Sequence, residues 1–289
     1  MKGDTLQQML GRRQRGALRL ILGIVGAILL VVILVAVYGV AGVVAANSQK
    51  VKADDALNAV KGDQSKIDLA FKGNAFAVGG DTPESLLGKI ASGQAALKTC
   101  KDLSDKDAKI VRDARSGISQ GILTLPENSA IGKDQARLDA GAQALDVAVK
   151  ACDEGGKDMD MIAAVVTAAK DLDTANTAVG ANDYATGLTN LDTAKQDISR
   201  AKELSAGVPG PPTLSSFLDT YSKFIDDFRA FTAAAKDRNI GEVLRLDPII
   251  TSDTNAIKNA STSGFSSWYD DHFNEYGKKY DDLVKQSNG

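Results

Sequence analysis

Residues 161–201, MIAAVVTAAKDLDTANTAVGANDYATGLTNLDTAKQDISRA, decide how the chain is read. Met161, Val165, Ala168, Leu172, Ala175 and Val179 recur at four-three spacing, which puts them on one face of an α-helix. After Gly180, with Asn182 or Asp183 as cap, Tyr184, Leu188, Leu191, Ala194, Ile198 and Ala201 repeat the pattern. The seams are narrow and Ala-rich, so the spacing predicts an αα-hairpin whose helices approach closely in near-antiparallel packing.

The helical period extends outward on both sides. Toward the amino end, Leu138, Ala142, Leu145, Val149 and Cys152 define a helix that Gly155-Gly156 is expected to stop. Before it, Thr82 as N-cap and Pro83 in the first helical position open a helix carrying Leu86, Ile90, Gly93, Leu97 and Cys100. The polar run Lys101 to Asp107 is expected to kink or split that helix before Val111, Ala114, Ile118 and Leu125 resume the stripe. Earlier still, Ala53, Leu57, Val60, Ile67, Phe71 and Val78 form a helix that ends at Gly79-Gly80.

Toward the carboxyl end, Gly-Val-Pro-Gly-Pro-Pro at 207–212 excludes helix and marks a boundary. Composition changes across it: 11 of the 15 aromatic residues follow position 212. Phe217, Tyr221, Phe224, Phe228 and Phe231 form one helical stripe, and Phe265, Tyr269, His272, Tyr276 and Tyr280 form another. The two stripes are expected to pack on each other. Between them, Asn239 and Glu242 read as a capping box, and Asp247-Pro248 as the start of another short helix. The Asn182 to Ala194 segment resembles part of a tetratricopeptide helix pair. No 34-residue period recurs, however, so no repeat architecture follows.

The other deciding stretch is Leu20 to Ala46, 27 residues without a charged side chain. As a helix they reach roughly 40 Å, more than the roughly 30 Å hydrocarbon core of a bilayer. A cleaved signal peptide competes with this reading, but its apolar region usually runs only about 7 to 15 residues. Lys2, Arg12, Arg13, Arg15 and Arg19 oppose a single acid, Asp4, before the stretch. The positive-inside rule therefore puts the amino end in the cytoplasm. Gly23 with Ala27 and Gly42 with Ala46 are small-residue pairs that allow two spans to pack, which makes a homo-oligomer an option.

The expected organisation is a cytoplasmic basic terminus (1–19), a transmembrane anchor through the lipid bilayer (20–46), an Ala-rich bundle (47–206), a linker (207–212) and an aromatic-rich subdomain (213–289). The expected fold class is all-α: a single transmembrane helix, then an extracytoplasmic antiparallel bundle of seven or eight helices.

Removing the five basic residues and one acid of the first 19 leaves 29 Lys/Arg and 36 Asp/Glu, a net charge of −7 for the remainder. That balance argues against nucleic acid as a partner. Cys100 and Cys152 are the only cysteines and both fall on apolar seams, so in an oxidising compartment they are expected to form a structural disulfide. His272 is the only histidine, which excludes multi-histidine metal sites. The acids at Asp102, Asp105 and Asp107 and at Asp158 and Asp160 lack the spacing of a calcium loop and read as helix caps or solvated faces. No cofactor, metal or catalytic constellation is expected.

The aromatic last helix holds the most promising candidates for partner binding: Trp268, Tyr269, Tyr276 and Tyr280. The competing reading is that these rings fill a core. Function is expected to be non-enzymatic, a membrane-anchored binding or assembly module of the cell envelope with a protein partner at the membrane surface. A ligand-sensing ectodomain working with a separate signalling partner is the alternative, and a cell-wall hydrolase ranks third.

Overall fold

The computed structural model describes residues 43–68, 82–121, 124–262 and 265–288. The described residues form seven helices and no strand. They are α1 over 43–68, α2 Pro83–Ser116, α3 Asn128–Gly180, α4 Tyr184–Ser205, α5 Leu214–Lys236, α6 Ile240–Thr262 and α7 Phe265–Asn288, with one 3-10 turn at Leu125–Glu127. The chain is all-α. No helix among the described residues is long and apolar enough to cross a membrane. The basic terminus, the apolar stretch as far as residue 42 and the segment from Phe71 to Gly80 lie outside the described residues.

Two compact units are present. Among the described residues, the smaller takes those from 43 to Leu57 together with those within Val111–Asp139, and the larger those within Asn58–Ile110 and from Ala140 to 288. In the smaller, Ala53, Leu57, Val111, Ile118, Ile131 and Leu138 are buried. Arg137 there reaches Asp54 and Asp134, each at 3.1 Å.

In the larger unit the hairpin forms as its periodicity demands. Ala168, Leu172 and Ala175 of α3 are buried with Leu191, Ala194 and Ile198 of α4 and with Tyr221, Ile225 and Phe228 of α5. The α3–α4 turn places Asn182 at φ 65°, and Asp183 N donates to Ala178 O while Asn182 N donates to Val179 O. That is a Schellman ending with Asn in the left-handed position. The Asp183 side chain then caps α4 by accepting from Thr186 N. Gly187 lets the helices approach closely: a Cβ there would lie 2.7 Å from Val179 Cγ2.

Three expected breaks are absent. α3 runs through Gly155-Gly156 because the missing Cβ at Gly155 admits neighbours: Leu97 of α2 and Phe273 of α7 would lie 3.3 and 3.4 Å from a Cβ there. Tertiary packing of this kind outweighs the roughly 1 kcal/mol by which each glycine disfavours helix. α2 runs through Lys101 to Asp107 with Ser104 and Asp107 turned into the interior and Lys101 paired with Asp153 of α3. α6 contains Pro248 rather than beginning there. The proline removes the donor for the Leu244 carbonyl, and Leu244 is exposed, so water can take that role.

The capping box is half formed. Asn239 Oδ1 accepts from Glu242 N, but the Glu242 carboxylate binds Arg245, since Asn239 N is already committed to Ala234 O. The Thr82 cap is in place, accepting from Ser85 N at 3.3 Å. The aromatic stripes meet only in part. Leu214, Phe217 and Leu218 of α5 share a cluster with Trp268, Tyr269 and Phe273 of α7, while Phe224 and Phe231 pack instead on the α3–α4–α5 core with Ile250 and Ile257 of α6.

Candidate functional site

The site is built where α7 lies along residues 150–161 of α3. About three turns of α3 bring Lys150, Glu154, Asp158 and Met161 to one side, and α7 answers with Trp268, Tyr269, His272 and Tyr276. Glu154 is the hub. Its Oε2 accepts from the Tyr276 hydroxyl at 2.7 Å and lies 3.3 Å from His272 Nε2, and its Oε1 is 3.7 Å from Lys150 Nζ. The Lys150 ammonium also stands 5.7 Å from the Tyr276 ring centroid, a cation–π distance.

Aromatic rings fix the imidazole. Trp268 stacks on His272 with centroids 4.8 Å apart and planes 13° from parallel, and Phe273 and Tyr276 meet the imidazole edge-on at 5.5 and 5.2 Å. Trp268, His272 and Tyr276 are half-buried. The face therefore combines partly accessible rings with a carboxylate held in a defined position.

Beneath it lies Asp158, 1% exposed, with no hydrogen-bond partner at either carboxylate oxygen. Burial pushes its carboxyl up to about 7, and the nearby Glu154 charge adds to the shift. Burial likewise raises the Tyr269 phenol, with Asp158 contributing. Burial raises Tyr276 as well, assisted by its hydrogen bond to Glu154.

The residues singled out from sequence separate into two sets. Trp268 and Tyr276 lie together on the half-exposed face. Tyr269, 5% exposed, belongs to the apolar cluster of Met161, Ala164, Ala201, Leu214 and Leu218. Tyr280, 2% exposed, is also interior, in electrostatic range of Asp68 and Asp107. Cys100 and Cys152 bridge α2 to α3 as a disulfide with Cα atoms 6.2 Å apart.

Sequence reasoning missed Lys150 and Glu154 because it ended a helix at Gly155-Gly156, and for the same reason it read Asp158 as a helix cap or solvated face, whereas Asp158 lies mid-helix and is buried. The signal was present nonetheless. Extending the Met161, Val165 stripe backward by the same three-four step lands on Asp158 and Glu154, an acid pair on an otherwise apolar seam. Among the described residues, no group of three or more His, Cys, Asp or Glu side chains is arranged to hold a metal ion.

No family model matches the chain, and no curated protein or solved structure is significantly similar to it.

Proposed function

We propose that this chain is a membrane-tethered extracytoplasmic module that binds a protein partner through the α3–α7 face and has no catalytic role. The observation that carries the reading is the half-exposed Trp268–His272 stack buttressed by Glu154. Aromatic side chains held rigid at a partly wet surface lose little entropy on binding and dominate interface energetics. The uncharged stretch from Leu20 to Ala46 supports the tether: 27 apolar residues preceded by five basic ones suit a single-pass anchor with its amino end in the cytoplasm. Tethering confines the helical unit to the membrane surface and raises its effective concentration toward partners there.

The test is crosslinking in intact cells with the full chain, beside Trp268→Ala and Tyr276→Ala variants. A partner captured by the parent and lost from both variants supports the reading. Equal capture by all three removes the α3–α7 face from it. External protease that fails to reach the larger unit in intact cells would remove the proposed topology.

A further inference from the structure

We propose that Asp158 is a proton-binding site that controls how firmly α7 sits on α3, so that the face carrying Trp268 and Tyr276 is held when Asp158 is protonated and released when it ionises. As regulation of the face above, the consequence for partners rests on that reading, whereas the proton-linked movement of α7 does not.

The geometry is unusual in one respect. A buried carboxylate in a folded protein is ordinarily paired or hydrogen-bonded, because desolvating the charge is costly. Asp158 is almost wholly inaccessible, and neither of its oxygens accepts a hydrogen bond. As a neutral acid it loses the charge penalty and becomes an O–H donor.

Among the described residues, the surrounding groups offer no compensating charge. On α3 the nearest acid is Glu154, one turn earlier, and it opposes ionisation. The base beside Glu154, Lys150, is directed to that carboxylate and to the Tyr276 ring. α7 presents Tyr269, a buried phenol in electrostatic range of Asp158, and beyond it His272 and Tyr276, both engaged with Glu154. α4 and α5 contribute Ala201, Leu214 and Leu218 to the cluster around Tyr269, all apolar. α2 packs Leu97 at Gly155, and its polar groups pair elsewhere on α3, Lys101 with Asp153 and Gln94 with Asp160. Burial, reinforced by Glu154, puts the transition at about pH 7.

His272 Nε2 lies 3.3 Å from Glu154 Oε2 and the Tyr276 hydroxyl donates to the same oxygen, so Glu154 is where α7 is tied to α3. Ionisation of Asp158 puts a second negative charge beside that tie in the interior. α7 is the element that can respond by local opening, because the buried cluster joining α3, α4 and α5 is apolar apart from Tyr221, whose phenol burial pushes up to about 12.

Trp268 is the chain's only tryptophan and sits on α7 against His272, so its emission reports the seating directly. The experiment measures acrylamide quenching of the full chain in detergent from about pH 5 to about pH 9, for the parent, Asp158→Asn and His272→Gln. Hydrogen exchange of α7 and of α4–α5, each corrected for the intrinsic rise of amide exchange with pH, is followed on the parent over the same range. In the parent and in His272→Gln, the quenching constant is expected to rise roughly threefold through neutral pH, with faster exchange confined to α7. In Asp158→Asn it stays low throughout.

A parent with no transition, a transition retained in Asp158→Asn, or one abolished by His272→Gln alone overturns the proposal. Exchange that accelerates equally in α4–α5 also overturns it, and that measurement needs no variant to fold. No partner is present, so failure here leaves the binding reading standing. Lost capture in Trp268→Ala, together with the transition in the parent, would support both.

Discussion

α3 packs its two halves by different chemistry. Toward its carboxyl end, Ala168, Leu172 and Ala175 meet α4 and α5 through small and branched apolar side chains, and the buried cluster there contains no acid, base or histidine. Over 150–161 the same helix meets α7 through Glu154, Asp158, His272 and two tyrosines. The first contact rests on apolar burial, with Lys195–Asp226, Lys202–Asp219 and Arg229–Asp192 pairs joining α4 to α5 at its rim, and should hold through neutral pH. The second depends on proton occupancy. One helix thus carries a permanent joint and a conditional one, and the conditional joint presents the rings suited to binding.

The most direct way to break this contrast is Ile198→Ala, in the apolar seam. It should lower unfolding free energy by roughly 2 to 5 kcal/mol, nearly independent of pH, in denaturant melts at pH 6 and pH 8. A loss that varied strongly with pH would mean that the two joints are not separable.

Asp158→Asn should act with the opposite signature. The folded-state carboxyl titrates at about 7, above the ordinary 3.8, so the native state retains a proton that the unfolded chain has released. Its contribution is full below the ordinary value and is lost as pH rises toward 7, by at most about 4 kcal/mol. The variant should be more stable than the parent at pH 8, by about 2 kcal/mol after allowance for interior relaxation. The same melts read this, and a variant less stable at pH 8 would count against a buried ionised Asp158. In acid, Asp153 and Asp183 work the other way. Lys101 and the Thr186 hydrogen bonds hold their carboxyls below the usual range, so their stabilisation fades as the pH falls through those lowered values.

Paired glycine substitutions sharpen the comparison at smaller amplitude. Gly187→Ala forces a Cβ to within 2.7 Å of Val179 Cγ2, and should cost about 1 to 3 kcal/mol. Gly155→Ala meets the Leu97 side-chain tip at 3.3 Å and Phe273 at 3.4 Å, contacts that a turn of the Leu97 tip and a small shift of α7 relieve, so its thermal midpoint should move much less. Trp268→Ala should have the smallest effect on stability, about 1 kcal/mol for a half-exposed stacked ring, and the largest on partner capture. Equal losses in stability and capture would mean that the ring is structural.

Much of the fold was legible because local rules and tertiary packing agree. The 161–201 hairpin follows from periodicity and from Asn182-Asp183 as a left-handed residue followed by a cap. Thr82-Pro83 starts α2 for the same reason. Where local and tertiary preferences conflict, the latter prevailed. Gly155-Gly156 and Pro248 are local helix breakers, yet Gly155 supplies room for Leu97 and Phe273, and Pro248 leaves unbonded a carbonyl on an exposed residue.

The candidate face was half legible. Trp268 and Tyr276 stand out on an aromatic helix, but their partner Glu154 precedes Tyr276 by 122 positions. No spacing rule joins residues that far apart.

The amino-acid sequence by itself determined the helical class, the main helix starts, the Ala-rich hairpin and the apolar seam positions of both cysteines, because each depends on the period of one helix or the chemistry of one turn. Only the tertiary structure decided which tyrosines are core and which are accessible, that Glu154 collects Tyr276, His272 and Lys150, and that Asp158 is sealed beneath them. Those outcomes depend on which face of α7 meets which face of α3. An acid on a helix is indifferent to its position until a second helix takes its water away.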